Sequence, residues 1–442
     1  MATKDQEIAL GQHINEHAIL GTNTNIPYKR SNVIGMKPTG TNVSGGSSAG
    51  RVWSLKIAAP AEYYSVRLFI YHHEASSTTS YTAICASTES ALNTTAINLT
   101  RPIVNGAESN ALDAVESYGW KTFKFAGISA ITAPAGTAIA PSVLISDWLP
   151  LASVPRADGA AFPLALIRLS VLGGTSNFSS ATNTGPGMEI PDASNGGLIL
   201  QARWESDATG VTVSAPATNH LSASNAATPT IGIEFRCNKP GITIMGIGDS
   251  LTQQTTVSPS VYDTMGWRTA ARISALGVPC GYVNHGMSGQ ASLAFTNAGL
   301  AAITNWLPNA VFVQGGSPND GAFSTDAFMR NGIQKMNSYA QGVLVAAAAE
   351  NAVQMITTWL PCSSGIIPAE SQDVMRRVNN TAIRALANNR VFVLDWDALV
   401  SDGGAPARIA AQYQFDATHP NATAIELQAQ QLTDVVKRAF VI

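Results

Sequence analysis

Gly241-Ile242-Thr243-Ile244-Met245-Gly246 leads directly into Gly248-Asp249-Ser250-Leu251, and the fold of the second half of the chain turns on how this stretch is read. A short apolar run closed by a turn of Gly, Asp and Ser has the pattern of a strand buried on both faces. After Pro240 such strands alternate with longer helical patterns. The strand at Gly241–Gly246 precedes a helix near Trp267–Leu276. Gly281–Asn284 and Ala310–Gln314 follow, then a helix at Asp326–Asn351, a strand at Val353–Trp359 and a helix at Ala369–Asn388. Val391–Trp396 is the fifth strand, and a last helix begins after Pro420. Short apolar strands joined by crossovers predict a parallel sheet with helices on both faces. Ligands of such sheets lie beyond the carboxyl ends of the strands. The residues just after each strand are therefore the candidates for chemistry.

Working upstream, the apolar period changes to two. Val66, Leu68 and Ile70 alternate with Arg67, Phe69 and Tyr71; Ile231, Ile233, Phe235 and Cys237 alternate with Gly232, Glu234 and Arg236. Val52–Ile57, Trp120–Phe125, Leu164–Leu172 and Leu198–Trp204 are further candidate strands, separated by clusters of Gly, Pro, Ser and Asn. This pattern predicts an antiparallel β-sandwich, whose two inner faces bury one core. Before it, a short helical stretch at Glu7–Ile19 runs into the turn-rich Pro38–Gly50. The expected organisation is an N-terminal arm or linker over 1–50, a β-sandwich over 51–238 and an α/β domain over 239–442.

The composition narrows the function classes. Charged residues are 12% of the 442 and the formal net charge is -3, so there is no broad basic surface to neutralise a nucleic-acid backbone. Nucleic acid is excluded as an expected partner. No apolar run reaches the roughly 20 residues that span a bilayer. Met1–Leu10 is polar and lacks the positive start and apolar core of a secretory signal peptide. The abundance of Gly, Ala, Ser, Thr and Asn over Lys and Glu nevertheless suggests an extracellular or virion-associated protein. Cys85, Cys237, Cys280 and Cys362 are widely spaced with no Cys-x-x-Cys pair, which argues against a zinc site or redox motif and leaves one disulfide open.

Ser250 falls at the carboxyl edge of the first parallel strand. A serine hydroxyl is a weak nucleophile until a base takes its proton, so a histidine must fold to the same edge. Asp416-Ala417-Thr418-His419-Pro420 supplies one after the fifth strand. A carboxylate three residues earlier can turn back to the ring Nδ1–H while Nε2 faces the serine. Acyl transfer also needs donors aimed at the oxygen that becomes negative. Asn284-His285-Gly286-Met287-Ser288-Gly289 follows the second strand and offers the N–H of Gly289; Gly315-Gly316-Ser317-Pro318-Asn319-Asp320 follows the third and offers the Asn319 carboxamide. The Ser250 N–H is the third donor.

These four segments, in this order and each after a strand, resemble the GDSL/SGNH hydrolase family over roughly residues 241–440. The resemblance implies a flavodoxin-like three-layer domain with a five-stranded parallel sheet, no cofactor and no metal. It implies Ser250 as nucleophile, His419 as base, Asp416 as its orienting carboxylate, and Ser250, Gly289 and Asn319 as the oxyanion hole. Two departures stand out. The third block of the family usually reads Gly-x-Asn-Asp, and Gly316-Ser317-Pro318-Asn319-Asp320 is one residue longer; Asn421-Ala422-Thr423-Ala424 stands where many members carry a glycine. Trp120–Gly127, Pro134–Gly136 and Ser146–Trp148 resemble the jelly-roll-like β-sandwich module that precedes the hydrolase domain in some bacterial carbohydrate esterases. That likeness implies an acylated carbohydrate, with O-acetyl esters foremost, as substrate.

Several other residues receive plainer readings. Asp249 and Asp320 are expected to accept backbone N–H groups and hold loops. His285 has no carboxylate near it in sequence and is expected at the surface or behind the site, and His72-His73 is expected to face solvent. Gly46-Ser47-Ser48-Ala49-Gly50 matches a nucleophile elbow by letter but follows no strand and opens no helix. Trp267 and Trp306 are expected to pack helices. Two alternatives stay open at this point: a lipase- or thioesterase-like hydrolase, and a phage-type receptor-binding or adhesion protein with a silent hydrolase fold.

Overall fold

A computed structural model of the chain describes residues 30–34, 42–44, 51–72, 79–89, 103–104, 107–108, 119–137, 140–159, 161–172, 177–179, 200–206, 231–254, 264–320, 339–361, 370–388 and 391–442. The expected helix at Glu7–Ile19, the Gly46–Gly50 segment, His73 and Cys362 lie outside them. The chain divides into two compact units, one containing Pro27–Gly241 and the other Ile242–Leu276 with Tyr282–Ile442.

In the first unit the two-residue periodicity becomes two antiparallel sheets. Strands β1 (Arg51–Ala58), β2 (Tyr63–His72), β3 (Ser80–Thr88), β4 (Leu164–Leu172), β5 (Leu200–Ser206) and β6 (Ile231–Cys237) supply most of them. One sheet runs Arg30–Ile34, β6, β2, Ser142–Ile145; the other runs β5, β1, β4, β3, Lys121–Thr122. Tyr63 of β2 ties the two sheets together. Its hydroxyl is 2.8 Å from Ser87 Oγ and donates to the Leu164 carbonyl at 3.2 Å, while its ring packs on Phe235. A buried phenol needs such partners, because its O–H is otherwise stranded away from water.

Two expectations are corrected in this unit. His72 does not face solvent: it is buried, with Nδ1 2.9 Å from the Tyr81 hydroxyl of the opposite sheet. The strand expected at Trp120–Phe125 shrinks to Lys121–Thr122, because the chain turns through left-handed Ala126 and Gly127, where Asp147 accepts the Gly127 N–H.

The second unit is built on β7 (Ile242–Gly248), β8 (Cys280–Gly286), β9 (Ala310–Gln314), β10 (Val353–Thr357) and β11 (Val391–Leu394), in the order β8-β7-β9-β10-β11. This five-stranded parallel sheet has the flavodoxin-like order 2-1-3-4-5. Every residue of β7, β8 and β9 is buried, which explains why these strands are mostly apolar and do not alternate. The helices are α1 (Ser250–Gln253), α2 (Met265–Ala275), α3 (Ser292–Trp306), α4 (Glu370–Arg384), α5 (Trp396–Val400) and α6 (Ala422–Phe440), with residues 339–349 also helical. Of the helix expected at Asp326–Asn351, residues 326–338 lie outside the described part. Strand β11 stops two residues short of expectation, because Asp395 caps α5 by accepting the Ala398 N–H.

Glycines let the layers close. On one face of the sheet Tyr282 of β8 and Phe312 of β9 lean over the intervening Gly246 and stack at 6.2 Å. Trp267 of α2 and Trp396 of α5 extend this row by edge-to-face contacts at 5.7 and 6.1 Å. A Cβ on Gly266 of α2 would fall 2.2 Å from the Tyr282 ring, so the helix backbone lies directly on it. On the other face Gly299 of α3 meets Ile247 in the same way. Helices thus cover both faces, and Trp267 and Trp306 are buried as expected.

A Cβ at position 246 would come within 2.3 Å of Phe312 and 2.4 Å of the Tyr282 hydroxyl. Gly246→Ala must therefore part the stacked rings and is expected to lower stability by about 1–3 kcal/mol. Urea unfolding should show a lower midpoint at unchanged slope; an unchanged midpoint would mean that the row tolerates the methyl group.

Candidate active site

The site begins where β7 ends. Asp249 caps α1, its Oδ1 accepting the Leu251 N–H at 2.8 Å, and so places Ser250 as the first residue of the helix at the sheet edge. Gly248 is required by crowding: a Cβ there would lie 2.0 Å from Thr252 Oγ1 and 2.5 Å from Gln314 Oε1. The Gln314 side chain, at the end of β9, accepts the Asp249 N–H and the Thr252 hydroxyl, both at 3.1 Å, and donates to the Gly316 carbonyl at 2.7 Å. The nucleophile loop and the loop after β9 are thereby joined.

His419 reaches the same edge from a distance of 169 residues in sequence. Its Nε2 is 3.0 Å from Ser250 Oγ, and its Nδ1 is 2.8 and 3.0 Å from the two Asp416 oxygens. Asp416 Oδ1 also accepts the N–H groups of Thr418 and His419, each at 2.7 Å, so the turn from Asp416 to His419 closes on itself. Asn421 anchors this turn to α6. Its side chain accepts the Thr423 and Ala424 N–H groups and donates to the Gln412 carbonyl, a capping role that glycine lacks. Ser250 is 7% exposed, and the His419 side chain 16%, whereas the Asp416 side chain is 44% exposed. Against the desolvation that partial burial brings, the Thr418 and His419 donors hold the Asp416 carboxyl below its ordinary range.

The loop after β8 is tied to the segment that carries Ser250. Met287 donates its N–H to the Gly248 carbonyl at 2.8 Å, Ser288 donates to Gln253 Oε1 at 3.0 Å, and the Asn284 amide donates to the Gln253 carbonyl. Gly286 comes so close to α1 that a Cβ would be 2.4 Å from the Gln253 nitrogen. Gly289 is exposed at φ +71°, a conformation that favours glycine.

In the loop after β9, Asn319 Nδ2 lies 3.3 Å from Asp249 Oδ2, 3.3 Å from the Gln290 carbonyl and 3.2 Å from Ser317 Oγ. The carboxamide expected in the oxyanion hole is thus engaged with the neighbouring loops. Asp249 and Asp320 hold loops, as read from the sequence: Asp320 accepts the Ser292 N–H at 2.7 Å and the Ser292 hydroxyl at 2.6 Å. Burial pushes the Asp249 carboxyl up to about 6 and raises that of Asp320 as well. His285 is buried, which excludes the surface placement and leaves the one behind the site. Cys85, Cys237 and Cys280 are buried. Sequence reasoning passed over Gln253, Gln314 and Ser317; a polar Gln closing the otherwise apolar strand Ala310–Gln314 was the one available signal.

The model of the GDSL-like Lipase/Acylhydrolase family matches residues 247–426, which span all of these loops. Over these residues the chain is similar to that family. Solved structures similar to part of the chain include the psychrotrophic esterase EstA of Pseudoalteromonas sp., at 19% identity and TM-score 0.34, covering 45% of this chain and 99% of that one. An acetyl xylan esterase matches at 17% identity and TM-score 0.34, covering 44% and 100%. The family 3 carbohydrate esterase of Clostridium thermocellum matches at 15% and 0.31, covering 45% and 98%. No curated protein matches the chain.

The raised Asp249 carboxyl fixes the sign of a pH effect. A folded-state value near 6 against an ordinary 3.8 gives stability that is complete below 3.8 and lost as pH rises through 6. The stability of the wild type relative to Asp249→Asn should therefore fall by on the order of 2 kcal/mol between pH 4 and pH 7. Urea titrations of both proteins across that window test this; a difference that stays flat or rises contradicts it.

Proposed function

We propose that the protein is a serine esterase that hydrolyses short-chain acyl esters through an acyl-Ser250 intermediate. The observation that carries this reading is the continuous hydrogen-bonded chain from Asp416 through His419 to Ser250 Oγ. His419 Nε2 takes the hydroxyl proton as Oγ attacks the ester carbonyl, and Asp416 stabilises the imidazolium that forms. The N–H groups of Ser250 and Gly289 and the Asn319 carboxamide receive the negative oxygen. His419 then returns its proton to the leaving alcohol, and a water molecule activated by the same base releases the acid.

The substrate we propose is an O-acetyl or similarly short acyl group on a carbohydrate. Support comes from the likeness of residues 120–148 to the module preceding carbohydrate esterase domains, and from the β-sandwich unit itself, a surface on which a polymer can be held.

Ser250→Ala is expected to abolish turnover of 4-nitrophenyl acetate with the fold intact by circular dichroism, and His419→Ala to slow acylation by about four orders of magnitude. Turnover retained by pure Ser250→Ala sinks the assignment. Rapid labelling of Ser250 by a fluorophosphonate separates an active hydrolase from a silent fold. Acetyl esters should be turned over faster than octanoyl esters, with acetate released from acetylated xylan; the reverse preference would make the protein a lipase-like hydrolase.

A further inference from the structure

Beneath Ser250 lies a cluster of polar groups that takes no direct part in the proposed proton transfers. Asp249 and Ser317 are both fully buried, and the Ser317 hydroxyl donates to Asp249 Oδ2. The same hydroxyl oxygen accepts the Asn319 backbone N–H at 3.0 Å and lies 3.2 Å from the Asn319 carboxamide nitrogen. Asp249 Oδ2 is itself within 3.3 Å of that nitrogen. Ser317 therefore stands between the residue preceding the nucleophile and the carboxamide assigned to the oxyanion hole. It belongs to the block that is one residue longer than the family pattern.

The direction of an amide donor matters because a hydrogen bond weakens steeply as it departs from linearity. Asn319 Nδ2 carries two hydrogens and has three oxygens in reach, from Asp249, Ser317 and the Gln290 carbonyl. An ionised carboxylate is the strongest acceptor among them. Held by that carboxylate on one side, the carboxamide has its rotation set and its second N–H committed to one direction. Ser317 completes the arrangement: its hydroxyl donates to the carboxylate and accepts the Asn319 main-chain N–H, fixing backbone and side chain together. Its own N–H donates to Asp320 Oδ2 at 3.2 Å, and Asp320 is locked onto Ser292 at the start of α3. All three loops of the site meet here.

We propose that Ser317 and Asp249 form a positioning pair that aims the Asn319 carboxamide at the developing oxyanion. This inference rests on the esterase reading above. The pair touches no substrate; beside the cap that Asp249 gives α1, its effect on the oxyanion passes through Asn319, and that is what a test must isolate.

A double-mutant cycle with 4-nitrophenyl acetate does so. Asn319→Ala is expected to lower kcat by about 100-fold or more, the usual loss for one oxyanion donor. Ser317→Ala should lower kcat by about 10- to 100-fold with KM within about twofold, and Ser317→Ala in the Asn319→Ala background should cost little further. Multiplied losses in the double variant, or an unchanged kcat in Ser317→Ala, would overturn the proposal. Should Ser317→Ala fail to fold by circular dichroism, the cycle of Asp249→Asn with Asn319→Ala asks the same question with the same outcomes. Ser250→Ala run alongside keeps the two readings apart: if it retains turnover the esterase reading fails, and if it is silent the cycle decides the positioning pair alone.

Discussion

A carboxylate buried beneath the nucleophile, that of Asp249, is the interaction on which the rest of the site hangs. Its oxygens receive the Leu251 N–H, the Ser317 hydroxyl and the Asn319 carboxamide, so it starts α1 and draws in the loop after β9 at the same time. A carboxyl group withdrawn from water is costly unless its lone pairs are used. Here the donors are numerous, and burial still pushes the group up to about 6. The carboxylate is satisfied only when α1 and the loop after β9 are both in place, which makes local order at the nucleophile dependent on long-range folding.

Strand order explains why those segments meet. Because β8 lies on one side of β7 and β9 on the other, the loops leaving their carboxyl ends diverge and open a crevice at the switch point. Glycines at 246, 248 and 286 permit the close approaches around it, each at a place where a Cβ would collide with a neighbour. The aromatic row from Trp267 to Trp396 backs the sheet on one face, and α3 covers the other.

Asp416 and His419 differ in kind from this arrangement. Their contacts are made within one short turn, capped by Asn421, and the single bond from His419 Nε2 to Ser250 Oγ depends on the tertiary fold. A carboxylate and base bound in a self-contained turn can be carried by α6 as a unit. The exposure of Asp416 follows from that design, since its partners are local donors and not a buried pocket.

What the sequence by itself determined is whatever repeats along the chain: the period of two in the first half, the alternation of buried strands and helices after Pro240, and the residues at strand ends. Such patterns are legible because they depend on near neighbours. Ser250, Asp416 and His419 were named from position and residue type, and the structure brings their side chains within hydrogen-bond distance. Only the tertiary structure decided that His72 is buried against Tyr81, that Gln253 and Gln314 tie the loops, and that Asn319 rests on Asp249 and Ser317. These contacts join residues as much as 70 positions apart with no periodicity to mark them, and a polar side chain between two loops carries no sign in sequence of which acceptor it will meet.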